Sequence, residues 1–112
     1  MLALNGGTDI WLVSGATDMR LGKFRLFELA KMVKPNPYNG DAFAFMSKNR
    51  RTLKIVRYEH HKLMLYDISY ERGYKFMKPV WHDGKLYHQL DFKYLVALLG
   101  CPERKNLEIK VN

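Results

Sequence analysis

Cysteine is almost absent from this chain; Cys101 stands alone. A single thiol cannot close an internal disulfide, so no disulfide framework holds the fold, and a reducing compartment suits it. Long apolar runs are missing too. None approaches the ~20 residues a spanning helix needs. The opening stretch MLALNGGTDIWLVSG has no positive segment, and Asp9 interrupts its apolar part. It is expected to be neither a signal peptide nor a span. A cytoplasmic location without a membrane partner is therefore expected. No glycine-rich phosphate loop is present, since NGG and YNGD are turn sequences. Acids are scarce: eleven Asp and Glu face nineteen Lys and Arg, for a net charge of +8. That deficit favours anionic partners such as nucleic acid, an acidic protein or an anionic surface. The same charge also serves solubility.

What remains is enough for a core. Apolar residues make up 47% of 112 positions, which excludes global disorder and fits one domain over residues 1–112. Ile10–Ser14 reads as a buried strand, rich in β-branched and aromatic side chains and closed by Gly15. Thr17 or Asp18 is expected to cap a helix running to about Val33. Lys34-Pro35-Asn36-Pro37 ends it, because residues before proline avoid the helical region. Strands are then expected at Ala42–Met46, Thr52–Tyr58, Leu63–Ile68 and Tyr74–Lys78, joined by turns of hairpin length. Asp83-Gly84 is the strongest hairpin signal, between Val80-Trp81 and Leu86-Tyr87. A short helix follows from about Phe92 to Leu99, with Asp91 to cap it and Gly100 to end it in a left-handed conformation. Residues 103–112 read as a loose charged tail. The expected class is α+β: an antiparallel hairpin meander of five to six strands, one face covered by one long and one short helix.

The first helix carries two faces. At about 100° per residue, Met19, Gly22, Leu26, Leu29, Ala30 and Val33 share an arc that should pack on the sheet. Gly22 on that arc would permit close backbone approach. Arg20, Lys23, Lys31 and Lys34 fall on a neighbouring stripe with Phe24 and Phe27. The stripe is either a widened core face with lysine stems laid over it, or a phosphate-binding face with aromatic support. A second basic focus is Lys48-Asn49-Arg50-Arg51, continued by Lys54 and Arg57 on the next strand. A third surrounds Arg72. Nucleic-acid contacts are thus expected at Arg20, Lys23, Lys31, Arg50, Arg51, Lys54, Arg57 and Arg72.

Catalytic chemistry has little to stand on. His60 and His61 are adjacent in a turn and tend to point apart, while His82 and His88 lie elsewhere, so no metal site is expected. Cys101, between Gly100 and Pro102, lacks a base to activate it. Asp9, Asp18, Asp41, Glu59, Asp67 and Glu71 show no pair spaced for a two-metal nuclease. No cofactor is expected.

The segments IWLVSGATDMRLG, FAFMSKNRRTLKIVRYE, LYDISYERGYKF and LVALLG, in this order, resemble the TnpB-type accessory proteins of the IS-sixty-six family of bacterial insertion sequences. The likeness spans roughly Ile10 to Gly100. Trp11, Thr17, Asp18, Met19, Arg20 and Gly22 match its first motif. Glu71, Arg72 and Gly73 form its second, and Phe43, Phe45, Arg51, Lys54 and Phe76 match further positions. The chain departs from the family at Glu59-His60-His61-Lys62, where an acid with nearby glycines is usual. It departs again at Ile68-Ser69, where cations are usual, and at Met77-Lys78-Pro79, where Trp-Pro is usual. The resemblance implies a bacterial, non-catalytic protein encoded beside a transposase, unrelated to the RNA-guided nucleases that share the name. It implies binding to DNA through a basic face. The alternatives are an adaptor docking on the transposase through aromatics such as Tyr58, Tyr66, Tyr74 and Trp81, and a metal-dependent nuclease.

Overall fold

A computed structural model describes residues 8–13, 15–79, 85 and 87–104. Its elements are β1 (Ile10–Val13), α1 (Lys23–Val33), β2 (Ala42–Met46), β3 (Thr52–Glu59), β4 (Lys62–Ser69), β5 (Tyr74–Lys75), β6 (Tyr87–Leu90), α2 (Phe92–Gly100) and β7 (Glu103–Arg104). The class is α+β. One five-stranded sheet has the order β4-β3-β2-β1-β6, and β5 pairs with β7 in a separate ribbon.

The sheet is not a pure antiparallel meander. β1 and β2 run parallel, with Ile10 beside Ala42 and Val13 beside Phe45. The reason lies in the connection. A parallel return needs a crossover longer than a hairpin, and α1 supplies it. The remaining pairs, β1–β6, β2–β3 and β3–β4, are antiparallel.

The two helices do not share a face. Leu26, Phe27 and Ala30 of α1 pack with Phe43, Phe45 and Val56. Leu95 and Leu98 of α2 pack with Ile10, Leu12, Ala42, Ala44, Leu53 and Ile55. Those sheet residues alternate along their strands, so the helices cover opposite faces. β2, apolar at every position, is buried throughout because it lies under both. Each fully buried Leu or Phe contributes roughly 1.5–3 kcal/mol.

Neither helix is long. α1 starts at Lys23 with Gly22 at its N-cap, not at Thr17 or Asp18. The Asp18 carboxylate instead accepts from the Arg20 backbone N–H two residues on, at 2.9 Å, and Leu21 N–H closes a turn onto Asp18 O at 3.2 Å. An aspartate that satisfies a turn locally leaves the helix to begin later. Nothing approaches Gly22, so the expected close packing there is absent. Leu29 is partly exposed, whereas Phe27 is core. Gly100 stays within α2, which ends at Cys101 without a left-handed glycine. The expected strand at Tyr74–Lys78 shortens to β5 and leaves the main sheet. The Asp83-Gly84 hairpin and the tail beyond Arg104 lie outside the described residues.

One turn is held against backbone preference. His60 and His61 join β3 to β4 with φ of 51° and 62°. A two-residue hairpin turn with both centres left-handed favours Asn-Gly, and each ordinary L-residue there costs about 1–2 kcal/mol. The double change His60→Asn, His61→Gly is expected to raise stability by about 1–2 kcal/mol, seen as a higher urea midpoint at unchanged slope. An unmoved midpoint would show that the histidines carry no strain.

A basic end built from three loops

The parallel pairing decides where the loops go. β1 and β2 finish side by side, so Gly15–Gly22 after β1 and Ser47–Arg51 after β2 leave the same end of the sheet. Thr17 N–H donates to Met46 O at 3.0 Å and fastens the first loop to the end of β2. The second loop is braced internally. Asn49 Oδ1 accepts from Arg51 N–H at 3.0 Å, and Ser47 Oγ accepts from Thr52 N–H at 3.1 Å. Arg50 there has a φ of 59°. A third loop closes on it from the other side, with Tyr70 N–H on Arg51 O at 2.8 Å and Phe76 N–H on Arg50 O at 2.7 Å. Between them Glu71-Arg72-Gly73-Tyr74 makes a tight turn, Tyr74 N–H to Glu71 O, and Gly73 at φ 98° meets the backbone demand of its third position. The two sequence motifs, TDMR and ERG, therefore flank one basic loop.

The cations expected to touch nucleic acid divide into three groups. Arg20, Lys23, Arg50, Arg51 and Arg72 gather at this end. Arg20 is open to solvent and paired with Asp18, Nε to Oδ1 at 3.1 Å and Nη2 to Oδ2 at 2.9 Å. The Arg20 side chain and backbone N–H hold the Asp18 carboxyl at about 2, below the ordinary aspartate range. Arg50 is mostly enclosed; its guanidinium reaches Phe76 O at 3.3 Å and Glu103 at 3.2 Å. Arg51 is exposed and touches Tyr70 O at 3.2 Å. Lys23 and Arg72 are exposed.

Lys54 belongs to the interior. Its Nζ donates to Met19 O at 2.7 Å and Leu21 O at 3.1 Å, tying the TDMR turn to β3 from below. Its side chain keeps only 10% exposure. Lys31 and Arg57 lie toward the opposite end. Lys31 pairs with Glu28 at 3.2 Å and lies over the rings of Phe27 and Tyr38. Arg57, paired in register with Ala42, donates to Gly40 O at 2.9 Å and pairs with Glu59. Two further cations, Lys48 and Lys78, join the basic end. Lys78 carries no signal in sequence, because its expected strand has dissolved into a loop. Lys23, Lys48, Arg51, Arg72 and Lys78 form no ion pair among the described residues.

Of the residues suited to an adaptor, Tyr58 stacks on Phe27 and meets Tyr38 edge-on. Tyr66 and Tyr74 are half-buried, and Trp81 lies outside the described residues. The most exposed apolar side chains on α1 are instead Phe24, at 70%, and Met32, at 81%. No group of three metal-ligating side chains occurs among the described residues. No helix among them is long and apolar enough to cross a membrane.

Fold and site together define an α+β domain with helices on both sheet faces and a loop-built cationic end. The chain belongs to the IS66 Orf2-like family, whose model matches residues 8–108. Membership ties it to the accessory proteins of that class of insertion sequences, and so to transposition. It is also similar to the uncharacterized protein y4hO of Sinorhizobium fredii (strain NBRC 101917 / NGR234). The two are 28% identical over 87 residues, which cover 77% of this chain and 75% of that protein. No solved structure matches the chain.

Proposed function

We propose that this protein is a non-catalytic accessory factor for transposition that binds DNA with its basic end. The observation that carries the reading is convergence. Three loops and the first residue of α1, distant in sequence, bring Arg20, Lys23, Lys48, Arg51 and Arg72 to one end of the sheet. Arg20 is tied to Asp18; the other four project without a carboxylate partner among the described residues. Arginine forks and lysine ammonium groups on such a surface suit phosphate oxygens. Contacts of this kind position a protein on DNA without reading bases, so the affinity is largely independent of sequence.

The reading is tested by fluorescence anisotropy on duplexes from the ends of an insertion element, across a salt series. Four phosphate contacts give a log–log slope of about −3.6, from about −0.9 per contact. Binding that ignores salt, or no binding at low salt, ends the proposal. In that case the exposed side of α1 bearing Phe24 and Met32, with the Glu28–Lys31 pair and Arg25 among them, becomes the surface to examine for contact with the transposase.

A further inference from the structure

The parallel strand ends enclose a cavity beside the loops already described. Its volume is about 300 Å³. Leu12, Val13, Met46 and Pro79 contribute apolar wall, Gly15 and Ala16 leave one side without bulk, and Lys48, Arg50 and Lys78 bring the positive charge. A shallower groove adjoins it, sharing Ser47 and Lys48 and bounded further along by Thr17, Met19 and Asn49.

Two features of the cavity separate it from the outer phosphate-binding surface. Its walls are mixed, with apolar surface from Leu12, Val13, Met46 and Pro79 beside the polar groups of Ser47, Lys48, Arg50 and Lys78, whereas a site for phosphate alone would be lined by donors throughout. Its size is at the lower end of small-molecule sites, suited to one planar ring system and not to a duplex. The charge is also placed unevenly. Arg50 is held by Phe76 O and Glu103 and forms a fixed part of the wall. Lys48 and Lys78 are exposed and free of ion pairs among the described residues, and each can follow a phosphate.

We infer that this cavity takes one unpaired nucleotide of a DNA strand, its base beside Met46 and Pro79 and its phosphate between Lys48 and Lys78. The inference rests on the DNA-binding reading of the basic end and specifies which DNA that end prefers. Duplex lies across the outer cations, and a strand end or displaced base enters the cavity. Apolar contact with a base face tolerates any base, so the preference is for structure and not for sequence.

The full-length protein is titrated against three fluorescein-labelled duplexes of equal length: blunt, with a two-nucleotide 3′ overhang, and with a two-nucleotide 5′ overhang. At least one overhang is expected to bind about tenfold tighter than the blunt duplex, the scale of burying one base face against apolar side chains. A 2-aminopurine placed in that overhang is expected to change its emission on binding. Ala16→Trp, a substitution at an exposed position that fills the mouth, is expected to bring the overhang-to-blunt ratio to one. Equal affinity for all three duplexes with the unaltered protein overturns the cavity assignment and leaves the basic end standing. No binding of any duplex at low salt overturns both. Displacement of the overhang by micromolar deoxyadenosine monophosphate assigns the cavity to a free nucleotide and overturns its assignment to a DNA strand.

Discussion

Reversing three charges at the basic end, Lys48→Glu, Arg51→Glu and Arg72→Glu together, is expected to abolish most DNA affinity. Removing three phosphate contacts flattens the log–log salt slope by about 2.7 and lowers affinity more than about a hundredfold near 50 mM salt. Repulsion from the new carboxylates adds to the loss. All three side chains are exposed, so the thermal transition should stay close to that of the unaltered protein. Lys31→Gln is the informative companion. The sequence pattern places Lys31 among the expected DNA contacts, yet the fold carries it to the other end, over Phe27 and Tyr38. Its loss is expected to change affinity by less than about twofold. A Lys31 effect as large as that of the triple reversal would mean that binding follows total charge, and the localised interface would have to be given up.

Lys54→Met should cost stability where the triple reversal does not. The Lys54 ammonium carries bonds to Met19 O and Leu21 O, the fastenings of the TDMR turn to the sheet from beneath. Methionine keeps the buried stem and removes the donors. Hydrogen bonds involving a charged group contribute about 1.5–3 kcal/mol, so a net loss of about 2–3 kcal/mol is expected after the loop partly rehydrates. For a domain of this size that lowers the melting temperature by about 10 °C. Amide exchange should quicken first at Arg20–Lys23, the segment the lysine holds. Unchanged melting and exchange would show that Thr17 N–H on Met46 O anchors the loop unaided.

The contrast between these experiments shows where sequence reasoning stopped. Lys54 and Arg51 are both cations near a hairpin, and nothing in their immediate neighbours separates them. What separates them is that β3 is an interior strand covered on both faces, a property of the assembled sheet. The start of α1 was ambiguous for a related reason. Asp18 has the chemistry of a cap and of a turn, and the choice fell to the turn once Arg20 closed on its carboxylate and Lys54 took the carbonyls of Met19 and Leu21. The parallel pairing of β1 and β2 was more accessible, since a helix between two strands is the signature of a crossover. The run of hairpins that follows pointed instead to a meander.

Local patterning determined a good deal unaided. The apolar run Ala42–Met46, the alternation in Thr52–Tyr58, the short helix before Cys101 and the positive excess all depend on residues close together in the chain. So do the TDMR and ERG motifs that carry the family resemblance. The tertiary structure alone decided that α1 and α2 cover opposite faces, and that β1 and β2 end together. It also decided which cations face water and which are spent on main-chain oxygens. Those outcomes depend on contacts between residues far apart in the chain, formed when both faces of one sheet are buried at once, and no short window of sequence contains them.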